Sequence, residues 1–234
     1  MNKNKINAII MAAGKGERLR PLTLTTPKPL ININGQPMIE NIIESLLLIG
    51  IKEIVVVTGY LKDQFEYLKD KYGVTIVNNP DYDKANNISS LYYARDYLGN
   101  SVILDGDQII NNINIINLAY KHSGYICSKI DSFTKEWILK LDENNRIIKC
   151  YRDGFDKGYE LKSISFWKEE EAYKLKRYLK EDYIEKRITD IYWDDIAMFL
   201  HKNDFELYGY VVEPNSVIEI DNLDELKRYG GELR

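Results

Sequence analysis

The sequence predicts an α/β protein built on a Rossmann-like, mostly parallel mixed sheet with helices on both faces. Two observations lead to this class. Short apolar runs of strand length alternate with helical patterns through the first half, and Gly50 and Gly73 close two of those patterns. Such alternation is typical of parallel strands joined by crossover helices. Because ligands of these sheets bind at the carboxyl ends of the strands, we expect functional residues just after the apolar runs.

The first half supplies the parallel part of the predicted sheet. Strands are predicted at residues 6–11, 53–58, 74–77 and 102–104, and helices at 38–48, 61–71 and 88–97. In the second half, strands are predicted at 137–141 and 146–151 around a DENN turn, then at 161–167, 207–212 and 216–222, with helices at 168–180 and 223–229. Because no repeat or linker interrupts the chain, we expect one domain, residues 1–234, with an elaborated C-terminal half.

Length and composition argue against several classes of protein. The 234 residues are 44% hydrophobic and 29% charged, which is ordinary for a soluble globular protein with a sizeable core. A formal net charge of −4 argues against a general nucleic-acid binder. No apolar run approaches the roughly 20 residues that cross a bilayer, and the start, MNKNKINAII, lacks the features of a signal peptide. The 2 cysteines suit neither a disulfide framework nor a zinc cluster. We therefore expect a cytoplasmic protein without nucleic-acid or membrane partners.

The stretch MAAGKGERLRPLTLTTPKPL, residues 11–30, follows the first predicted strand. A glycine-rich turn after a buried strand can present several backbone N–H groups to one anion, and Gly14 and Gly16 supply such a turn. The stretch lacks the Gly-Lys-Ser/Thr of a P-loop, and Leu19 occupies the third glycine position of the dinucleotide fingerprint. The pattern thus predicts a phosphate-binding loop of another kind, with a solvated surface loop as the alternative.

Three cations follow the glycine turn, namely Arg18, Arg20 and Lys28. Pro27 and Pro29 restrict the backbone on either side of Lys28, so its ammonium group extends from a stiff segment. Three cations beside a glycine turn suit a ligand that carries several phosphates.

These residues carry a resemblance. AIIMAAGKGERLRPLTLTTPKPL is similar to the signature G-x-G-x-R-L-x-P-L-T-x-x-x-P-K-x-L of the sugar-phosphate nucleotidyltransferase superfamily. The segments TGYLKDQFEYL, NNISSLYYA, LDGDQ, KEWIL, SISFW, IYWDD and IEIDN resemble, in the same order, the bacterial choline-phosphate cytidylyltransferases of the LicC type. The resemblance spans nearly the whole chain. It implies the nucleotidyltransferase fold, which is glycosyltransferase-A-like, with a nucleotide-binding half at 1–110 and an acceptor-phosphate half at 111–234.

The reaction implied by the resemblance is attack of a phosphate oxygen of phosphocholine on the α-phosphorus of CTP. The products are CDP-choline and pyrophosphate, and Mg²⁺ assists. A phosphomonoester has a second pKa of about 6 and is largely ionised at neutral pH, so no general base is required. The chain has only 2 histidines, and this scarcity of a common general base does not argue against the reaction. The reaction needs two polyanions held in line and their charge neutralised.

The resemblance also assigns residues to the nucleotide. Lys28 and Arg18 contact the triphosphate, and Arg20 is either a further contact or a solvated neighbour. The loop backbone that wraps the triphosphate comprises Ala12, Ala13, Gly14, Lys15 and Gly16. The positions that match the family's nucleotide pocket are Gly59, Tyr60, Asn87 and Ser89.

A Mg²⁺ site is implied as well. Asp107, which ends LDGD, matches the family's first metal ligand and is counted as catalytic, and Asp221 in EID matches the second. Such oxygen ligands are the ones that Mg²⁺ prefers. Alternatively, Asp105 and Asp107 form a turn around Gly106, and Asp221 caps the following helix, a role for which Asn222 is the rival.

Large aromatic and acidic residues occur together in segments of the second half. The aromatic residues are Trp137, Tyr192 and Trp193, and the acidic ones are Asp190, Asp194, Asp195 and Glu219. Aromatic cages recognise quaternary ammonium groups, and each cation–π contact contributes about 0.5–2 kcal/mol. The acceptor-binding residues predicted from this pattern and the resemblance are Trp137, Asp190, Tyr192, Trp193 and Glu219.

Core packing is the alternative for each of these aromatic residues, and we assign Trp167 to it. Tyr192 and Trp193 are adjacent and cannot both face one cavity squarely, so Tyr192 is the preferred contact. The strand SISFW departs from the family, because the resemblance predicts a glycine where Ser163 stands. A serine there would narrow or polarise the acceptor pocket.

Other functions remain open at this point. One is a cytidylyltransferase for another amino-bearing compound, such as 2-aminoethylphosphonate, phosphoethanolamine or an amino-acid-derived phosphate. Another is a sugar-1-phosphate nucleotidyltransferase, which the short chain and the aromatic and acidic residues disfavour. The last is a non-catalytic nucleotide sensor, which would not need Lys28, Asp107 and Asp221 together.

Overall fold

A nine-stranded mixed sheet is the central element of the computed structural model, which describes residues 6–116 and 120–231. Two further pairs of strands lie outside that sheet. In chain order the strands are β1 (Asn7–Ala12), β2 (Asn32–Ile33), β3 (Gln36–Pro37), β4 (Glu53–Thr58), β5 (Thr75–Asn78), β6 (Ser101–Asp105), β7 (Gln108–Ile110), β8 (Gly124–Ile130), β9 (Ile138–Leu141), β10 (Ile147–Tyr151), β11 (Gly158–Trp167), β12 (Tyr208–Val212) and β13 (Val217–Glu219).

The helices lie between these strands. They are α1 (Met38–Leu48), α2 (Tyr67–Tyr72), α3 (Ile88–Ala94), α4 (Glu169–Leu179) and α5 (Leu223–Arg228). The predicted helix 61–71 begins with a 3₁₀ turn at Lys62–Phe65, and α4 continues into a π-helical segment at Lys180–Glu185. Within the described residues, no helix has the length and apolar character to span a membrane.

The sheet joins a parallel part to an antiparallel part. Strands β5, β4, β1 and β6 are neighbours in that order and run parallel, which confirms the predicted α/β class. On the far side of β6, the long strand β11 pairs antiparallel with β6, β8 and β9. The parallel strands β1, β4 and β6 end at Ala12, Thr58 and Asp105, so the loops after them meet at one edge.

The core explains why β1 reads as one apolar run. Its side chains alternate between two buried clusters, with Ile10 on one face and Ile9 on the other. Full burial of each such side chain contributes about 1.5–3 kcal/mol. Helix α1 packs on the first face and α3 on the second, because each has apolar residues at helical spacing. Trp167 is buried in the second cluster, as predicted.

Four strands, β2, β3, β7 and β8, are not among those predicted from the sequence. Strand β8 matters most, because it lies between β11 and β12 and its Cys127 is fully buried. The other cysteine, Cys150 on β10, is also buried, and both are free thiols. Burial raises the pKa of the Cys127 thiol to about 12. Burial, together with the nearby Asp194 and Asp195, raises the pKa of the Cys150 thiol to about 12.

Candidate active site

The loop after β1 crosses the carboxyl edge of the parallel strands and folds back on itself at Gly16. Gly16 has a φ of 60°, and a Cβ atom there would lie 2.9 Å from the Cβ of Lys28. Only glycine fits this left-handed backbone and close approach without strain. The Thr23 hydroxyl donates a hydrogen bond to the Gly16 carbonyl over 2.9 Å. The loop therefore places Lys28 directly against the glycine turn, as the sequence pattern predicts.

The Lys28 ammonium group lies among carboxylates, and the residue is only 7% exposed. It forms ion pairs with Asp107 and with Asp221, the latter over 3.1 Å. Burial disfavours the charged ammonium, but the charge and hydrogen bond of Asp107 and the charge of Asp221 outweigh it, so the pKa of Lys28 is raised. Arg18 donates a hydrogen bond to the same Asp221 oxygen over 2.6 Å. Lys28 and Arg18, the cations predicted to bind the triphosphate, thus form ion pairs with the carboxylates predicted to bind the metal.

Three carboxylates form an acidic cluster, Asp107, Glu219 and Asp221, whose ligand oxygens lie within 4.8 Å of one another. Strand β13 brings them together, because it pairs with β7 and sets Glu219 opposite Gln108. Asp107 Oδ1 is buried and has no hydrogen-bond partner in the described structure. Burial, followed by repulsion from Asp107 and its neighbours, raises the pKa of Glu219. Such a set of oxygens can hold a hard divalent cation.

The structure decides between two alternatives at the start of α5. Asn222 Oδ1 accepts hydrogen bonds from the backbone N–H groups of Asp224 and Glu225, so Asn222 is the N-cap. The Asp221 carboxylate is left to the acidic cluster. Glu219, predicted as an acceptor contact, belongs to this cluster and also lines the larger cavity.

Two adjacent cavities share Arg18 and Asp221. The loop cavity, of about 400 Å³, lies between the glycine turn and the acidic cluster and is lined by residues that include Ala12, Gly14, Gly16, Lys28 and Asp107. The large cavity, of about 830 Å³, extends from Glu219 to the second half and is lined by residues that include Asn87, Asp105, Trp137, Arg152, Ser163, Tyr192 and Asp194. A third cavity, of about 440 Å³, contains Lys15 and Asp190.

The residues predicted for the nucleotide pocket have different surroundings. Asn87 lines the large cavity and accepts the Trp193 N–H over 2.9 Å. Tyr60 supports the β1 loop, because its hydroxyl donates to the Thr23 carbonyl over 2.9 Å. At Gly59, a Cβ atom would lie 2.5 Å from Tyr82, so the glycine allows a close approach.

Ser89 is fully buried at the start of α3. It donates a hydrogen bond to the Asn86 carbonyl over 2.8 Å and accepts one from Asn79 over 2.9 Å. These contacts fix the 79–90 segment, and the segment in turn places Asn87. Ser89 itself is buried behind the cavity wall, and its place in the nucleotide pocket stays a prediction.

One side of the large cavity is an aromatic wall, formed by Trp137, Tyr192 and Phe199. The ring centroids of Trp137 and Tyr192 lie 5.8 Å apart in an edge-to-face arrangement, and those of Trp137 and Phe199 lie 5.4 Å apart. The Arg152 guanidinium lies over Trp137 and Phe199. Phe199 and Arg152 were not predicted, since both lie outside the motifs.

Two of the residues predicted as acceptor contacts, Trp193 and Asp190, do not line the large cavity. Trp193 is 5% exposed and packs against Tyr125 and Trp167, so it belongs to the core, whereas Tyr192 is 46% exposed and faces the large cavity. Adjacent residues of one turn point in opposite directions, which explains the difference. Asp190 lies on the third cavity, away from the aromatic wall.

Asp194 takes the place beside the aromatic wall that was predicted for Asp190. Its carboxylate lines the large cavity and accepts a hydrogen bond from the Tyr125 hydroxyl over 2.9 Å. No Lys, Arg or His of the described residues forms an ion pair with it. Burial raises the pKa of Asp194 to about 7, the Tyr125 hydrogen bond opposes that shift, and Asp195 adds to it. The sequence analysis grouped this residue with the nearby acids but did not select it.

Ser163 lies at an irregularity of β11, where the pairing register with β8 shifts between Leu161 and Ser165. Its φ of 46° falls in the left-handed region that favours glycine. This backbone explains why the resemblance predicts a glycine here. The Ser163 side chain lines the large cavity beside Asp105, whose pKa is raised by burial and by the charge of Asp107.

Comparisons with known proteins agree with this geometry. The model of the family described as Nucleotidyl transferase matches residues 7–127. The chain is 38% identical to a 2-aminoethylphosphonate cytidylyltransferase of Lancefieldella rimae, over 97% of this chain and 93% of that protein. It is 36% identical to a choline-phosphate cytidylyltransferase of Streptococcus pneumoniae, over 95% and 96% of the two chains.

Solved structures give the same result for the fold. The CTP:phosphocholine cytidylyltransferase LicC of Streptococcus pneumoniae superposes with a TM-score of 0.90 at 36% identity, covering 96% of this chain and 97% of that one. The inositol-1-phosphate CTP transferase of T. maritima superposes with a TM-score of 0.77 at 20% identity, covering 97% and 94%. The second likeness concerns the fold alone.

Proposed function

We propose that this chain, which belongs to the nucleotidyl transferase family, transfers CMP from CTP to phosphocholine and releases pyrophosphate. The observation that carries the proposal is the large cavity. Its lining includes Glu219 and Asp221 of the acidic cluster and also Trp137, Tyr192 and Asp194. One cavity therefore offers a place for reacting phosphates and a place for an ammonium group.

The nucleotide is proposed to occupy the side of the first half, residues 1–110. The backbone of residues 12–16 and the cations Lys28 and Arg18 neutralise the triphosphate. Asn87 contacts the nucleoside from the cavity wall, with Gly59, Tyr60 and Ser89 supporting the loops around it. Holding the two substrates in line and neutralising the leaving pyrophosphate are the contributions that such a transfer needs.

Asp107, Glu219 and Asp221 are the residues that would hold Mg²⁺. Their oxygens match its preference, and the unpartnered Asp107 Oδ1 is free to become a ligand. When bound, the ion would withdraw charge from the phosphate oxygens. The second half of the chain thus supplies two of the residues that would hold the ion, Glu219 and Asp221, and also binds the acceptor.

The acceptor is proposed to place its ammonium group between the aromatic wall and Asp194. A trimethylammonium group donates no hydrogen bond, so aromatic faces and an unpaired carboxylate are what it can use. The phosphate end of the acceptor is already ionised at neutral pH and needs orientation rather than deprotonation.

A second candidate acceptor is 2-aminoethylphosphonate. The observation in its favour is the relative of that activity, which is 38% identical over 97% of this chain. A primary ammonium group would donate hydrogen bonds to Asp194 and depend less on the aromatic wall.

The test is pyrophosphate release from each of the four nucleoside triphosphates with four acceptors. The acceptors are phosphocholine, phosphoethanolamine, 2-aminoethylphosphonate and glucose-1-phosphate, each with and without Mg²⁺. We expect the highest kcat/KM for CTP with phosphocholine, and only with the metal. A higher kcat/KM with 2-aminoethylphosphonate would make that compound the acceptor in place of phosphocholine. No pyrophosphate release with any pair of substrates would refute the proposed transferase activity.

A further inference from the structure

Arg152 is a cation within the wall that is proposed to receive the ammonium group of the acceptor. It directly follows β10, and its side chain is 45% exposed. Its guanidinium carbon lies 5.5 Å from the ring centroid of Trp137 and 4.6 Å from that of Phe199. Such distances are typical of cation–π contacts. The chain therefore already places one cation of its own against the aromatic wall.

The partner of Arg152 is Asp195, whose side chain is 1% exposed. The same carboxylate accepts the backbone N–H of Tyr192 over 2.8 Å. Asp195 thus connects Arg152 to Tyr192, while the guanidinium packs on Trp137. Two residues of the aromatic wall, from segments more than fifty positions apart, are fixed through this one ion pair.

The ion pair also sets the charge that the wall presents. Asp194 and Asp195 are neighbouring carboxylates, and each would disfavour the ionised form of the other. Burial raises the pKa of Asp195, while its hydrogen bond to Tyr192 and the charge of Arg152 oppose that shift. With Asp195 paired, Asp194 lies beside the wall without an ion pair to any described residue, and it matches a single ammonium group.

We propose that Arg152 is a positioning residue of the acceptor site, which holds Trp137 and Tyr192 through Asp195 and leaves Asp194 free for one ammonium group. This inference rests on the proposed function. Arg152 acts through its neighbours, because its guanidinium is already bound to Asp195 and stacked on two rings. Removing it would loosen the wall and leave the buried Asp195 carboxylate without its cation.

The test uses Arg152→Met, with Arg177→Met as the matched control. Arg177 also stacks on an aromatic ring, 4.4 Å from the centroid of Tyr178, but lies on α4 outside the large cavity. We expect Arg152→Met to raise KM for the amino-phosphate acceptor about tenfold, with KM for CTP changed less than about twofold. Arg177→Met should change neither. Arg152→Lys should recover only part of the loss, because lysine keeps the charge but not the planar fork.

A second measurement separates positioning from general damage. The acceptor 3,3-dimethylbutyl phosphate has the shape of phosphocholine, but a carbon atom replaces the ammonium nitrogen. Its phosphate is still ionised, so only its head group is neutral. Arg152→Met should reduce the preference for phosphocholine over this neutral compound, whereas a merely structural defect would lower both rates equally. Asp195→Asn should change the preference in the same direction, and it serves as the test if Arg152→Met fails to fold.

Two outcomes would overturn the inference while leaving the transferase intact. One is equal kinetics for Arg152→Met and Arg177→Met. The other is an equal loss with the charged and the neutral acceptor in both Arg152→Met and Asp195→Asn. A wild-type protein that turns over no amino-phosphate would instead refute the proposed function, and the inference with it.

Discussion

The two ends of the site balance their charges in different ways. At the phosphate end, Lys28 and Arg18 are paired with Asp107 and Asp221, so the cations and carboxylates neutralise each other. At the acceptor end, Arg152 neutralises Asp195, and Asp194 forms no ion pair with the described residues. Under the proposed function, the first end must exchange partners before it binds phosphates and a metal. The second end would need no such exchange to bind an ammonium group.

The largest expected effect concerns the phosphate end. Lys28→Met should lower kcat/KM for CTP by about a thousandfold, since removal of one preorganised charge from a developing anion costs several kcal/mol. Initial rates of pyrophosphate release measure it, and Lys52→Met, at an exposed surface lysine, is the control. Normal turnover by a folded Lys28→Met protein would show that Lys28 does not serve the triphosphate.

The acceptor end should respond to Asp194→Asn. We expect kcat/KM for phosphocholine to fall about fiftyfold, because a buried charge interaction with the ammonium group is lost. The rate with 3,3-dimethylbutyl phosphate should change little, since that compound has no charge to pair. A similar loss with both acceptors would mean that Asp194 supports the fold rather than the ammonium group.

Partner exchange at the phosphate end can be measured without turnover. In the absence of nucleotide, Lys28→Met should bind Mn²⁺ about tenfold more tightly than the wild-type protein, because the ammonium group no longer lies on Asp107 and Asp221. Electron paramagnetic resonance of free Mn²⁺ gives the affinity. Equal affinities would indicate that Lys28 and the metal do not compete.

The smallest expected effect is a pH dependence of the acceptor end. The pKa of Asp194 is about 7, so its carboxylate loses charge as the pH falls through that value. From about pH 8 to about pH 6.5 the ionised fraction drops roughly fourfold, and KM for phosphocholine should rise by a similar factor. Asp194→Asn shares the titration of the phosphate but lacks that of the carboxylate, so the ratio of the two proteins' KM values for phosphocholine isolates Asp194. A ratio that stays constant with pH would contradict this assignment.

The sequence predicted that the residues of the phosphate end lie together, because their signals are local. The glycine turn, Lys28 and the two aspartates each lie in a short motif next to a strand, and strand order brings them together. The place of Glu219 in the acidic cluster was not predicted, because it depends on the pairing of β13 with β7. Neither strand of that pair contains a long apolar run.

The aromatic wall was predicted only in part. Trp137 and Tyr192, which both line the large cavity, were named from the sequence, whereas the burial of Trp193 depends on how one turn is oriented in the core. Arg152 reaches Asp195 across 43 positions, and no spacing rule connects them. Strand β8, which supplies the scaffold beneath, was missed because its apolar run, Tyr125 to Cys127, is too short to form a recognisable pattern.

The two buried thiols offer an intrinsic probe of conformational opening. Cys127 on β8 is fully buried and Cys150 on β10 is 8% exposed, and both thiols are neutral at physiological pH, so an aromatic disulfide reagent should react with them slowly unless the structure around them opens. The rate of labelling would then measure how often the structure around these thiols opens. Since Cys150 senses the charges of Asp194 and Asp195, a saturating acceptor should slow its modification and thereby report occupancy without any engineered label.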